Sequence, residues 1–293
     1  MNTSPVSVEL TQQKKDVKSQ VFLLILWTSL LVAFIFLVTI LVTTFLQGLG
    51  RLDSRLLTEY NNTTPEQAGA RAAILGSVFV VVVTALLAIP VGIASAIYLE
   101  EIADKTKWYN KFIEVNIQNL AAVPAIIYGM LTLGILSAAG LKNKNVVIGG
   151  ALALALLILP VIILTTRESL RAVPQEIRQG SLALGATPMQ TIARQTLPSA
   201  VPGIATGSIL AISRAMGEAA PLLLLGALVF ITYDPNGLTA GFTTMPIQIF
   251  SWTSAPQEEF KMLAAAAIIL LLAILLSLNA IAIIIRNRFS RSW

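Results

Sequence analysis

Six long apolar runs, at about 21–46, 72–99, 115–140, 146–166, 201–232 and 262–285, alternate with polar stretches along the 293 residues. A helix rises about 1.5 Å per residue, so roughly 20 apolar residues cross a hydrocarbon core of about 30 Å. The first run carries no charge over 21–46. A secretory signal has an apolar core of only about 7–15 residues, so this run reads as a retained span. The pattern predicts an all-α, polytopic membrane protein with six transmembrane helices and both termini on one side. It divides the chain into 1–69 (polar tail, first helix and outer loop), a helical core over 70–285, and a basic tail over 286–293. Proline and glycine recur inside the runs, and Gly203 and Gly207 are spaced so that two helix backbones can approach closely.

The widest polar interruption, 167–200, reads as two short helices. Pro174 suits the first turn of a helix and Glu176 the positive N-terminal end. That helix carries through 182–184 and stops at Gly185, which can take the left-handed turn of a helix end. Thr187, Pro188 and Gln190 form a capping-box pattern for a second helix. It turns Met189, Ile192, Ala193 and Leu197 to one face until Leu197-Pro198 restarts the chain. Arg167, Arg171, Arg178 and Arg194 keep the stretch out of hydrocarbon, so it lies beside the membrane.

Composition narrows the chemistry. Hydrophobic residues are 56% and charged residues 12% of the chain, against about 25% charged in soluble domains. Histidine and cysteine are absent, which removes imidazole bases, thiolate nucleophiles and the usual zinc ligands. No Gly-Lys pair occurs, so the chain has no Walker A loop of its own. The net charge of +5 reflects basic loops on one membrane face rather than a nucleic-acid surface. Thirteen of the 20 Lys and Arg fall on the N-terminus, the 100–113 and 167–200 loops and the C-terminus, and six on the other side. Those thirteen mark the cytoplasmic face, which holds both termini and the 167–200 helices. The last, Arg214, falls inside the fifth run, four residues before Glu218.

On a continuous helix Arg214 and Glu218 share a face. A charge at mid-membrane costs roughly 2.5–3.5 kcal/mol on insertion scales, so both need compensation. Either they neutralise each other and set the helix orientation, or Arg214 faces a translocation path with Glu218 holding it or closing the path. The planar guanidinium fork matches phosphate or carboxylate.

The stretch Gln179-Gly180-Ser181, Gly185 and Leu197-Pro198 resembles the Glu-Ala-Ala…Gly…Ile-x-Leu-Pro loop of ABC-importer permeases. Gln179 stands for its glutamate, Gly180 and Ser181 for its alanines, and Gln195 for its isoleucine. Arg-Ala-Met-Gly-Glu-Ala-Ala-Pro-Leu-Leu-Leu at 214–224 is similar to the fifth-span signature of phosphate importer permeases of the PstA type. The coupling-loop core Leu182, Ala183, Leu184, Gly185 and Ala186, the third span from Asn119 to Gly129, and the segment from Met245 to Trp252 are similar to the same group.

The resemblance implies a MetI-like, binding-protein-dependent ABC-importer permease fold in a bacterial inner membrane. It implies a coupling element at 179–186 and 197–198 that sits in a groove of a cytoplasmic ATPase. Two PstB-like ATPase subunits using ATP-Mg, a PstC-like second permease and a PstS-like phosphate-binding protein would be partners. The chain itself would bind no cofactor and catalyse nothing. A permease for sulfate or molybdate, a passive channel and a membrane-embedded enzyme are the alternatives.

Overall fold

The computed structural model describes residues 17–227 and 230–289. The polar head with Lys14 and Lys15, and the end of the basic tail with Arg291, lie outside the described residues. The chain forms two compact units, 1–46 and 47–293. The first is the helix α1 (Val17–Gly48) almost to its end.

Within the second unit, three helices form the core: α3 (Arg71–Ile97), α6 (Val147–Arg171) and α9 (Leu197–Met216). Each is apolar enough to lie in hydrocarbon, where only a helix satisfies its own N–H and C=O groups. That requirement overrides the β-branched run 80–84 in α3. Small residues let the axes come close. A Cβ on Gly92 would sit 2.6 Å from Ile162, one on Gly203 2.5 Å from Ser169 Oγ, and one on Gly207 2.5 Å from Thr165 Oγ1. The close approach expected at Gly203 and Gly207 is therefore α9 against α6. Thr84 Oγ1 adds a cross-link, donating to Val80 O at 2.8 Å within α3 and contacting Ala151 O of α6 at 3.3 Å.

The third span is not the single helix expected over 115–140. It consists of α4 (Trp108–Ala121) and α5 (Ala125–Ala138), bent by 111° at the intervening break. Pro124 is the cause: it offers no N–H and sits extended at φ −56°, ψ 133°. Tyr128 OH donates to Leu120 O at 2.6 Å and pins the bend. Among the described residues five helices are long and apolar enough to cross a membrane, and six if the bent pair counts as one.

The fifth span also departs from expectation. Its helix stops at Met216 instead of continuing to 232. Gly217 follows as the cap, and Pro221 cannot donate back into a continuing turn. A short α10 (Ala220–Leu224) follows, and the described residues of 226–244 are irregular. Pro221 O would lie 2.5 Å from a Cβ at Gly129, so α10 packs tightly on α5.

At one end of the bundle, α2 (Ser54–Thr58) is capped by Asp53, and α11 (Met245–Thr253) packs on α12 (Glu258–Phe289). Met245 N donates to Ser77 Oγ at 2.8 Å, and Trp252 Nε1 to Asn61 Oδ1 at 3.0 Å. At the other end lie α7 (Gln175–Ala183) and α8 (Pro188–Thr191).

Candidate functional site

The 167–200 segment folds locally much as its residues dictate. Gly185 takes φ +83°, Ala186 N donates to Ser181 O at 3.2 Å, and Gly185 N to Leu182 O at 3.0 Å. This is a Schellman ending to α7. Thr187 accepts from Gln190 N at 3.3 Å, and the Gln190 side chain accepts from Thr187 N at 2.9 Å, closing the capping box. Pro174 is the cap residue itself, just ahead of the first turn, which holds Glu176.

The second helix does not end at Leu197-Pro198. A π-turn over Ile192–Thr196 joins α8 to α9, so one helix runs from Pro188 to Met216. The wider turn accommodates Pro198, which lacks an N–H and crowds the carbonyl of the preceding turn. The expected apolar face is only partly covered: Ile192 is buried and Leu197 half-buried, while Met189 and Ala193 are exposed.

At the apex, Leu184 is 91% exposed, and Gln179, Gly180, Leu182, Ala183 and Gly185 are exposed around it. Ser181 and Ala186 are half-buried; Ser181 Oγ lies 2.9 Å from Thr191 Oγ1, holding α7 to α8. The pair encloses a groove of about 490 Å³ lined by Glu176, Gly180, Leu184, Gln190 and Arg194.

Beneath it lies an ion network that the spacing of residues along the chain does not announce. A π-turn over Tyr98–Ile102 ends the α3 helix and directs Glu100 and Glu101 at the arginines. Arg167, 4% exposed, holds Glu100 Oε2 at 3.2 Å and Glu114 Oε1 of α4 at 2.7 Å. Arg171 and Lys105 reach Glu100 Oε1 at 2.9 and 2.8 Å. Arg178 of α7 reaches Glu101 Oε1 at 2.8 Å and the carbonyls of Leu170 and Val173 at 2.7 and 2.9 Å. These carbonyls end α6, so one guanidinium joins α7, α6 and the end of the third helix. The available signal was the adjacent Glu100-Glu101 pair at the start of the 100–113 loop.

Arg214 sits in the last turn of α9. Gly203 opposes Ser169 and Gly207 opposes Thr165, a step along α9 matched by an equal step back along α6. Continued, that register sets Arg214 level with about Ile158, near the middle of Val147–Arg171. Ala211, Ala215 and Ile158 share one buried cluster, so Arg214 projects from a helix anchored at mid-bundle. Arg214 is exposed, and its side chain has no ion-pair or hydrogen-bond partner among the described residues. Ser213 Oγ beside it is buried and unpaired among them.

The structure does not join Arg214 to Glu218 as sequence spacing suggested. The helix ends between them, with Gly217 N donating to Arg214 O at 3.2 Å and Glu218 N to Ala215 O at 3.2 Å. Glu218 is half-buried in the break and forms no ion pair with Arg214.

Residues 88–291 match the family described as binding-protein-dependent transport system inner membrane component. The phosphate transport system permease protein PstA of Yersinia pestis is 31% identical over 269 residues, covering 92% of this chain and 90% of that one. The probable ABC transporter permease protein YqgI of Bacillus subtilis is 33% identical over 71% of this chain, which spans 65% of the relative's length. The fold is shared with a chain of the bacterial alginate ABC transporter, TM-score 0.64 at 18% identity over 94% of this chain and 98% of that one. With its bundle of membrane-crossing helices, the chain belongs to the binding-protein-dependent transport-system inner-membrane components, as an ABC-importer permease of the PstA type.

Proposed function

We propose that this permease subunit carries inorganic phosphate inward in an ATP-driven importer, with Arg214 on the translocation path. The observation that carries this reading is a mid-depth guanidinium, exposed and without a partner among the described residues. A charge left so in lipid would be costly, and a water-filled path between two permease subunits removes that cost. Its fork of donors suits a tetrahedral oxyanion bidentately. Glu218, at the helix break nearby, supplies a repelling charge that hastens release of an anion. The PstA relatives support phosphate as the anion.

Energy comes from ATP and Mg²⁺ on a separate ATPase, against which the α7–α8 apex docks. Leu184 and Met189, 91% and 60% exposed, are the apolar anchors of that contact. Residues 179–186 form its surface, while Leu197 and Pro198 carry motion on into α9 through the continuous helix. The basic loops support a cytoplasmic side for the α7 end and for both termini. A PstC-like subunit completes the path, two PstB-like ATPases bind below and a PstS-like protein delivers phosphate from outside.

The test is uptake of labelled phosphate, sulfate and molybdate by vesicles holding the assembled complex. Arg214→Gln abolishes phosphate uptake while the protein inserts and its partners assemble. Unchanged uptake removes Arg214 from the path, and preference for another oxyanion reassigns the substrate.

A further inference from the structure

The bend at Pro124 gives α4 a place different from that of a spanning helix. With 14 residues it is about 21 Å long, too short for a core of about 30 Å, and it turns 111° from α5. Its bundle-facing side is formed by Asn110, Glu114 and Ile117. Asn110 Nδ2 donates to Asp104 O at 2.9 Å, and Glu114 accepts from Arg167. Ile117 packs in a cluster with Ala96, Leu99 and Ile163. Those contacts place α4 against the last turns of α6. An apolar span gives way to headgroups at such a level.

The other side of α4 is covered by none of the described residues of the second unit. Trp108, Phe112 and Val115 lie within about 60° of one another on the helical wheel, about half a turn from the bundle face. They are 77%, 62% and 52% exposed. Lys107 and Lys111 are exposed, with no ion-pair partner among the described residues, whereas Lys105 is held by Glu100. Two of the nearby negative charges are paired with cations of the bundle, which leaves Asp104 as the adjacent anion. Glu100 and Glu114 face the arginines, and the Asp104 carboxylate accepts from Thr106 N at 2.9 Å and Thr106 Oγ1 at 2.7 Å. Those bonds also hold the Asp104 carboxyl below its ordinary range, with the hydroxyl the larger cause.

We propose that α4 is an interfacial helix at the α7 end of the bundle. Trp108, Phe112 and Val115 insert at the lipid boundary, and Lys107 and Lys111 bind the headgroups of anionic lipids. An aromatic–aliphatic stripe flanked by free lysines is the composition that such a surface selects. Tryptophan prefers the headgroup level, and each lysine near an anionic leaflet contributes attraction of its own. Charge decides for lipid over a second protein: the lysines stand beside the apolar stripe rather than within it. The inference needs only the membrane location of the chain and is independent of its substrate.

The natural chain has no cysteine, so single nitroxide labels can be placed directly. Phe112→Cys and Val115→Cys are labelled in the assembled complex, in vesicles of equal parts phosphatidylcholine and phosphatidylglycerol. Both labels should collide with oxygen and be shielded from a water-soluble nickel chelate, while a label at Lys111→Cys meets the chelate. Chelate access at Phe112 and Val115 overturns the proposal by placing α4 in water. Immobilised labels shielded from both reagents overturn it by putting a protein on that face. Spin-labelled phosphatidylglycerol should associate in preference to phosphatidylcholine, and that preference should fall about five-fold for each of Lys107→Gln and Lys111→Gln. An unchanged preference in the double variant overturns the headgroup assignment.

Discussion

Arg178→Met tests whether α7 is held to the bundle by one side chain. The guanidinium makes three contacts of 2.7–2.9 Å, to Glu101 and to the carbonyls of Leu170 and Val173. The side chains of Arg178 and Glu101 are 15% and 10% exposed, so solvent screening is small. Otherwise α7 has little hold: none of its nine residues is buried, and only Ile177 packs on the cluster around Leu170 and Ala200. Breaking a buried pair costs about 3–5 kcal/mol. The lower end applies here, because released carbonyls at a bundle end regain water; we take about 3 kcal/mol. The loss falls on local opening of α7 rather than on global stability. At about 1.36 kcal/mol per decade, amide exchange in 175–183 should accelerate roughly 10²-fold. Hydrogen exchange read by mass spectrometry on that peptide measures it, with peptides of α3 and α6 as unchanged controls. Glu101→Gln should reproduce most of the effect, and the double variant should add little, as for a shared contact. Unchanged exchange in 175–183 would refute the argument and leave α7 held by its links to α8.

Two glycines give further tests. Gly185 has φ +83°, and no atom lies within 4 Å of where a Cβ would stand, so Gly185→Val meets only backbone strain, about 1–2 kcal/mol. It should fray the last turn of α7 and raise ATP hydrolysed per ion transported, with Gly185→Asn milder; normal coupling in the valine variant would count against the docking role. Gly203→Val drives a side chain into Ser169 and should cost about 1–3 kcal/mol in a thermal melt, partly restored by Ser169→Ala. An unshifted melt would show that α6 and α9 separate freely there.

Much of the α7–α8 pair was legible because it is local. A glycine at a left-handed position, a capping box at Thr187 and Gln190, and the apolar lengths of the spans are read from neighbours in sequence. The same one-dimensional reading failed wherever backbone direction changed. Apolar content alone cannot distinguish a straight span from the bent pair at Pro124. The spacing of Arg214 and Glu218 implied a shared face only if the helix persisted, and Gly217 with Pro221 ended it. The break expected at Leu197-Pro198 likewise did not occur, because the π-turn at Ile192–Thr196 carries the helix through it.

The sequence by itself determined which stretches are apolar enough to be helical, because hydrocarbon leaves the backbone no other partner, and that Gly185 ends α7. Only the tertiary structure decided that Glu100 and Glu101, far along the chain from Arg167 and Arg178, meet them to tie α7 to the core. It also decided that Arg214 stands at mid-depth, unpaired among the described residues. Ion pairing and exposure depend on where separate helices cross, and the crossings here are set by the close fits of Gly92, Gly203 and Gly207 across the bundle.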